Sequence, residues 1–125
     1  MQIAIVGLGR MGANITRRLM RARHQCVVYD IKRESIALLV EAGAVGTKSL
    51  QELVDILTPP RVIWLMLPAA IVDKTIVELT PYLAPGDVVI DGGNSHYRHV
   101  SLKAFIMWMW VRVAASGGSS AVFAL

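Results

Sequence analysis

A short apolar run, Gln2-Ile3-Ala4-Ile5-Val6, passes without a linker into Gly7-Leu8-Gly9-Arg10-Met11-Gly12 and then into an amphipathic segment. No other stretch constrains the fold so strongly. A strand that enters a helix through Gly-x-Gly-x-x-Gly uses each glycine differently. Gly7 allows the tight turn, Gly9 leaves the main chain open to a diphosphate, and Gly12 lets the helix lie close on the strand. Amides at the helix start then face the phosphates, where the helix dipole favours negative charge. Glycine-rich turns are common, so the motif is informative only in context. Here the context extends to Asp30, which closes a second apolar run about twenty residues on. Strand, turn, helix, strand and terminal acid predict a dinucleotide site built on Gly7, Leu8, Gly9, Arg10, Met11, Gly12 and Asp30.

Beyond Asp30 the pattern keeps alternating. Cys26 to Asp30 reads as the second strand, and Glu34 to Ala42 as a helix with apolar Ile36, Leu38, Leu39 and Val40, closed by Gly43. Ser49 with Glu52 three residues later forms a capping box that opens a helix through Leu57, and Pro59-Pro60 ends that element. Val62-Ile63-Trp64-Leu65-Met66-Leu67 is uninterrupted apolar sequence, the signature of a central parallel strand, and Pro68 stops it. A helix from Ala70 to Leu79 precedes Pro81, Pro85-Gly86 turns the chain, and Val88-Val89-Ile90-Asp91 runs into Gly92-Gly93-Asn94-Ser95. This order predicts an α/β fold: a Rossmann-like, doubly wound parallel sheet with right-handed crossovers, incomplete at its C-terminal end. The glycine turn, Asp30 and the segments at Leu67 and Asn94 then meet at the carboxyl edge of the sheet, where ligands of such sheets bind.

Composition limits the alternatives. The chain of 125 residues is one domain at most, and its single cysteine, Cys26, reads as a core residue of a protein from the reducing cytoplasm. The N-terminal apolar run ends at a glycine turn too early for a secretion signal, so it is expected to remain as a strand. A net charge of +4 raises the question of nucleic acid, because Arg10, Arg17, Arg18, Arg21 and Arg23 gather on or around the first helix. Helical spacing places most of them on a solvated outer face, opposite Met11, Ile15 and Leu19, and only Arg10 is placed to approach a phosphate. No nucleic-acid partner is therefore expected. His24, His96 and His99 lack metal-ligand spacing, and no metal site is expected.

Asp30 decides coenzyme preference. A carboxylate there accepts hydrogen bonds from both ribose hydroxyls and repels a 2′-phosphate, which favours NAD over NADP. Lys32 and Arg33 follow at once and are the residues that would bind that phosphate if the loop turned them inward.

Gly7-Leu8-Gly9-Arg10-Met11-Gly12-Ala13-Asn14, Trp64-Leu65-Met66-Leu67-Pro68 and Asp91-Gly92-Gly93-Asn94-Ser95-His96-Tyr97 resemble the nucleotide domain of 6-phosphogluconate dehydrogenase over residues 1–98. The resemblance implies that Met66, Leu67 and Pro68 line the coenzyme channel and that Asn94 lies near both nicotinamide and sugar acid. It also implies oxidative decarboxylation of 6-phosphogluconate to ribulose 5-phosphate in the pentose phosphate route, in cytoplasmic homo-oligomers. Family members that use NADP tend to carry Asn-Arg-Thr where this chain has Asp30-Ile31-Lys32, which again points to NAD. Arg23 stands where the family usually has glycine, in a left-handed helix cap, at a cost on the order of 1 kcal/mol. A 3-hydroxyisobutyrate-type dehydrogenase shares the glycine turn but not usually Gly-Gly-Asn-Ser before His-Tyr. A non-catalytic NAD-binding or interaction module is the remaining alternative.

The resemblance places the catalytic lysine and glutamate beyond the nucleotide domain, and no match to the lysine segment occurs here, so the chain is expected to lack catalysis by itself. Residues 99–125 read differently from the rest. Phe105-Ile106-Met107-Trp108-Met109-Trp110-Val111 has neither strand nor helix periodicity. Methionine and tryptophan each have one codon, so the message beneath Met107 to Val111 is nearly fixed, and shifted by two nucleotides it reads Val-Asp-Val-Gly. With synonymous codons for the neighbours, the shifted reading resembles the family's next strand and substrate loop. An out-of-frame, non-native tail is the expectation, with Ser116-Gly117-Gly118 a coincidence. The apolar stretch is broken by Arg112 and is shorter than the roughly 20 residues of a spanning helix, so no membrane anchor is expected.

Overall fold

The structure is a computed structural model that describes residues 1–92 and 122–124. Its elements are β1 (Gln2–Val6), α1 (Arg10–Arg21), β2 (Gln25–Tyr29), α2 (Arg33–Glu41), β3 (Val45–Gly46), α3 (Leu50–Ile56), β4 (Val62–Leu65), α4 (Ala69–Leu79), β5 (Val88–Asp91) and β6 (Val122–Ala124). All strands pair in parallel, in the order β3-β2-β1-β4-β5-β6. The chain therefore builds outward from β1 in one direction, then returns through α3 and builds in the other. That reversal leaves a crevice between the carboxyl ends of β1 and β4.

Apolar residues alternate between the two faces of each strand because side chains have period two. Ala4, Val6, Val27, Ile63, Leu65 and Val89 pack under α3 and α4, while Ile3, Ile5, Cys26 and Val28 pack under α1 and α2. Both faces of β1 are thus covered, which explains its continuous apolar sequence. On β4 only Ile63 and Leu65 are fully buried, whereas Val62 and Trp64 are half-buried at the rim of the α1 side. Burial pushes the Cys26 thiol up from its ordinary value, so it stays protonated at neutral pH and serves as a small core residue.

Local sequence sets most element ends. Ser49 caps α3 by accepting from the Glu52 N–H at 3.1 Å. The Glu52 carboxylate reaches back to the Lys48 N–H at 3.1 Å, one residue earlier than a capping box predicts. Gly43 follows α2 with a φ of 113° and donates to Val40 O. Arg23 adopts the left-handed conformation that the family resemblance implies for this position, with a φ of 68°.

The structure corrects several sequence readings. Met11 is 63% exposed, not turned to the sheet; the sheet side of α1 is Gly12 and Thr16, flanked by Ala13, Ile15, Leu19 and Met20. Helical period gives the width of an apolar stripe, but the contact at Gly12 sets its phase. On α2, Leu39 is buried while Leu38 and Val40 are exposed, since only one side of the helix meets β2 and β3. Asp30 lies just past β2, β4 ends at Leu65, and Pro81 sits within a 3-10 turn, Thr80–Tyr82, that continues α4. Strand β3, two residues long, carries no sequence signal. At the other side β5 is not the sheet edge, because β6 pairs with it. The rest of the 99–125 segment lies outside the described residues.

At the amino edge of the sheet, Arg61 and Asp87 form a salt bridge of 3.0 Å with the Asp87 side chain fully buried. Asp87 also accepts the N–H groups of Arg61 at 2.7 Å and Ala84 at 2.8 Å, and Arg61 Nε donates to Val54 O at 3.1 Å. This network ties the starts of β4 and β5 to the end of α3. Replacing Asp87 with alanine strands a charge and two amides, and should lower stability by about 3 kcal/mol in urea unfolding. Arg23→Gly should raise stability by up to about 1 kcal/mol in the same measurement.

Candidate dinucleotide-binding site

Main chain packed against main chain forms the base of the crevice. Gly7 has a φ of 97°, and a Cβ there would collide with the Met66 carbonyl oxygen and stand 3.0 Å from Leu67 Cδ2. A Cβ on Gly12 would collide with the Gly7 carbonyl oxygen and stand 3.4 Å from Met66 Cβ. Both glycines are demanded by close approach. Gly9 is different. Its φ of −64° suits any residue, and a Cβ there would have no heavy atom within 4 Å. Among the described residues nothing packs where a side chain at this position would stand, so the main chain at Gly9 is open to approach.

Gly9 is also the N-cap of α1, and no side chain caps that helix end or places an acid in its first turn. Helix α3, with Ser49 and Glu52, shows what a satisfied N-terminus looks like in the same molecule. The first-turn amides of Arg10, Met11 and Gly12 therefore offer donors and a positive dipole end to an anion beside Gly9.

Asp30 lies across the crevice from this turn. Its Oδ2 accepts the Leu8 N–H at 2.7 Å, and its Oδ1 accepts the Lys32 N–H at 2.8 Å. Among the described residues each oxygen has one protein donor and keeps a second acceptor site. The carboxylate is thus fixed in place with two free lone pairs, the arrangement a vicinal diol requires. The Leu8 amide is bonded to Asp30 and its side chain is buried in the core, so its main chain positions the acid.

The Gly7–Gly9 turn and Asp30 share one cavity of about 650 Å3. Of the residues predicted from sequence, Gly7, Leu8, Gly9, Asp30, Met66, Leu67 and Pro68 line it. Arg10, Met11 and Gly12 do not, and reach it only through the helix end. Met11 instead borders a separate surface hollow with Asn14, Ile15, Arg17, Arg18 and Arg21. Asn94 lies outside the described residues. Lys32 lines the cavity, and Arg33 lies along an adjoining groove that shares Tyr29, Asp30 and Ile31 with it. Sequence reasoning missed the far wall: Ile71, Lys74, Thr75 and Glu78 of α4. Their i, i+3, i+4, i+7 spacing marks one helix face, a second stripe beside the buried Val72, Ile76 and Leu79.

Comparison with known proteins adds the family. A family described as the NAD binding domain of 6-phosphogluconate dehydrogenase matches residues 2–105. The chain belongs to this family. It is 45% identical over 105 residues to a Haloferax volcanii protein named NAD(+)-dependent, decarboxylating 6-phosphogluconate dehydrogenase, covering 83% of this chain and 35% of that one. It is 42% identical over 112 residues to the decarboxylating 6-phosphogluconate dehydrogenase of Bacillus licheniformis, covering 82% of this chain and 24% of the other. The Plasmodium falciparum 6-phosphogluconate dehydrogenase structure superposes with a TM-score of 0.76 at 23% identity, over 96% of this chain and 26% of that one. The chain spans about a third or less of the length of these relatives.

Within the family's NAD-binding domain, the three glycines can be separated by experiment. Gly9→Ala should leave unfolding stability within about 1 kcal/mol while lowering dinucleotide affinity at least about tenfold. Gly12→Ala should instead destabilise the fold by more than about 2 kcal/mol, because its methyl meets the Gly7 carbonyl. Urea unfolding and calorimetric titration with NAD check both.

Proposed function

We propose that this chain binds NAD in preference to NADP, as the coenzyme-holding part of a 6-phosphogluconate dehydrogenase. The observation that carries the preference is the Asp30 carboxylate, clamped by the Leu8 and Lys32 amides with one acceptor site free on each oxygen. A 2′-phosphate brought to this position meets a fixed negative charge at hydrogen-bond range. The Lys32 main-chain amide holds that charge in place, while the Lys32 and Lys74 side chains also line the cavity.

In the longer protein this domain would present NAD to 6-phosphogluconate for oxidation and decarboxylation to ribulose 5-phosphate, in a cytoplasmic homo-oligomer. Asn94 would contact both molecules. The general base and acid that this chemistry needs would come from outside the nucleotide domain. Similarity to decarboxylating 6-phosphogluconate dehydrogenases at 36–45% identity supports this substrate. The likeness to a Mycobacterium tuberculosis 3-hydroxyisobutyrate dehydrogenase, 21% identical with a TM-score of 0.73, extends to the fold alone. Among the described residues no helix is long and apolar enough to cross a membrane, and no cluster of His, Cys, Asp and Glu could hold a metal ion. For residues 99–125 the proposal is a shifted reading frame, which resequencing of the DNA tests directly.

Asp30→Ala should reduce the preference for NAD over NADP at least about tenfold, mostly by weakening NAD through loss of the ribose bonds. Calorimetric titration of both coenzymes measures it. An unchanged ratio would remove Asp30 from this role.

A further inference from the structure

Strand order fixes how a dinucleotide must lie. With its diphosphate on the glycine turn after β1 and one ribose at Asp30 after β2, the remaining half extends to the other side of β1, over the ends of β4 and β5. Met66 stands there, directly after β4, and lines the cavity. Its main chain is held on the β1 side, where its N–H donates to Val6 O at 2.7 Å and its carbonyl packs on Gly7. Its side chain is held on the β5 side. Trp64 Nε1 donates to Met66 Sδ at 3.0 Å, and the two side chains share the same sheet face two residues apart.

Gly92 completes the arrangement. Its N–H donates to Leu65 O at 2.9 Å, which carries the β4–β5 pairing one step past the strand. A Cβ on Gly92 would collide with Trp64 Nε1 and lie 2.8 Å from Met66 Sδ. Its φ is not positive, so close approach to this pair is what demands glycine here. A methionine has three rotatable side-chain bonds and adapts to many shapes. Here one donor and one missing methyl select a single direction for it.

We infer that Trp64 is a positioning residue for the nicotinamide half of the coenzyme: its indole N–H and the bare Gly92 main chain lock the Met66 side chain as the wall on which that half rests. The inference rests on the dinucleotide reading above and goes beyond it in assigning Trp64 and Gly92, neither of which lines the cavity, a part in binding. Trp64→Phe keeps the aromatic body and removes the donor. Met66→Leu keeps the volume and removes the acceptor.

The test titrates the full chain and each variant calorimetrically with NAD and with ADP-ribose, which lacks only the nicotinamide. Trp64→Phe and Met66→Leu should each weaken NAD about fivefold and leave ADP-ribose within about twofold, and the double variant should lose no more than the weaker single. Gly92→Ala should show the same selective loss. Equal weakening of both ligands in Trp64→Phe, or no weakening of NAD in any variant, overturns the positioning role while the dinucleotide reading stands. A wild-type chain that binds neither ligand overturns both.

Discussion

Three segments of main chain meet at Gly7 with no side chain between them, and the site is arranged around that contact. Gly7 packs on the Met66 carbonyl, Gly12 packs on the Gly7 carbonyl, and the Gly7 amide donates to Tyr29 O. The end of β1 is thereby clamped to the ends of both neighbouring strands and to the first turn of α1. The direction of α1 follows, and with it the position of the uncapped amides beside Gly9. The Leu8 amide is carried along to meet Asp30. A β-carbon at either packed glycine would separate elements that must touch.

The two edges of the sheet are built on opposite principles. At the amino edge, Arg61 and Asp87 pair with each other and with adjacent main-chain groups in a largely buried network, which holds strand starts in register. At the carboxyl edge, Asp30 keeps acceptor capacity and α1 keeps unused donors. Polar groups with spare capacity are tolerable there because the crevice is open to solvent or ligand. In a closed core the same groups would each cost about 1–3 kcal/mol.

Much of this was legible in the residues. Strand and helix order, the cap at Ser49 and the turn at Gly43 each follow from local chemistry that neighbours along the chain supply, whereas the left-handed Arg23 was implied by the family resemblance. The misses share a cause. Met11 was misread because helical spacing defines a stripe but not which way it turns. Strand β3 exists because the β2 edge presents free amides and carbonyls to whatever passes, and Val45 and Gly46 pass there. The α4 wall of the cavity was not foreseen because its stripe gains meaning only once α4 lies beside the glycine turn.

The sequence by itself determined a parallel α/β fold, a glycine turn shaped for a dinucleotide and an acid at the ribose position, because these depend on spacing and on glycine's missing side chain. Only the tertiary structure decided that Gly9 is free of packing duty, that the Leu8 amide belongs to Asp30, and that Trp64 holds Met66. The Leu8–Asp30 bond spans 22 residues, and the Trp64–Met66 pair, though close in sequence, is oriented by Gly92 just past the next strand, so their directions are set by how strands and helices pack.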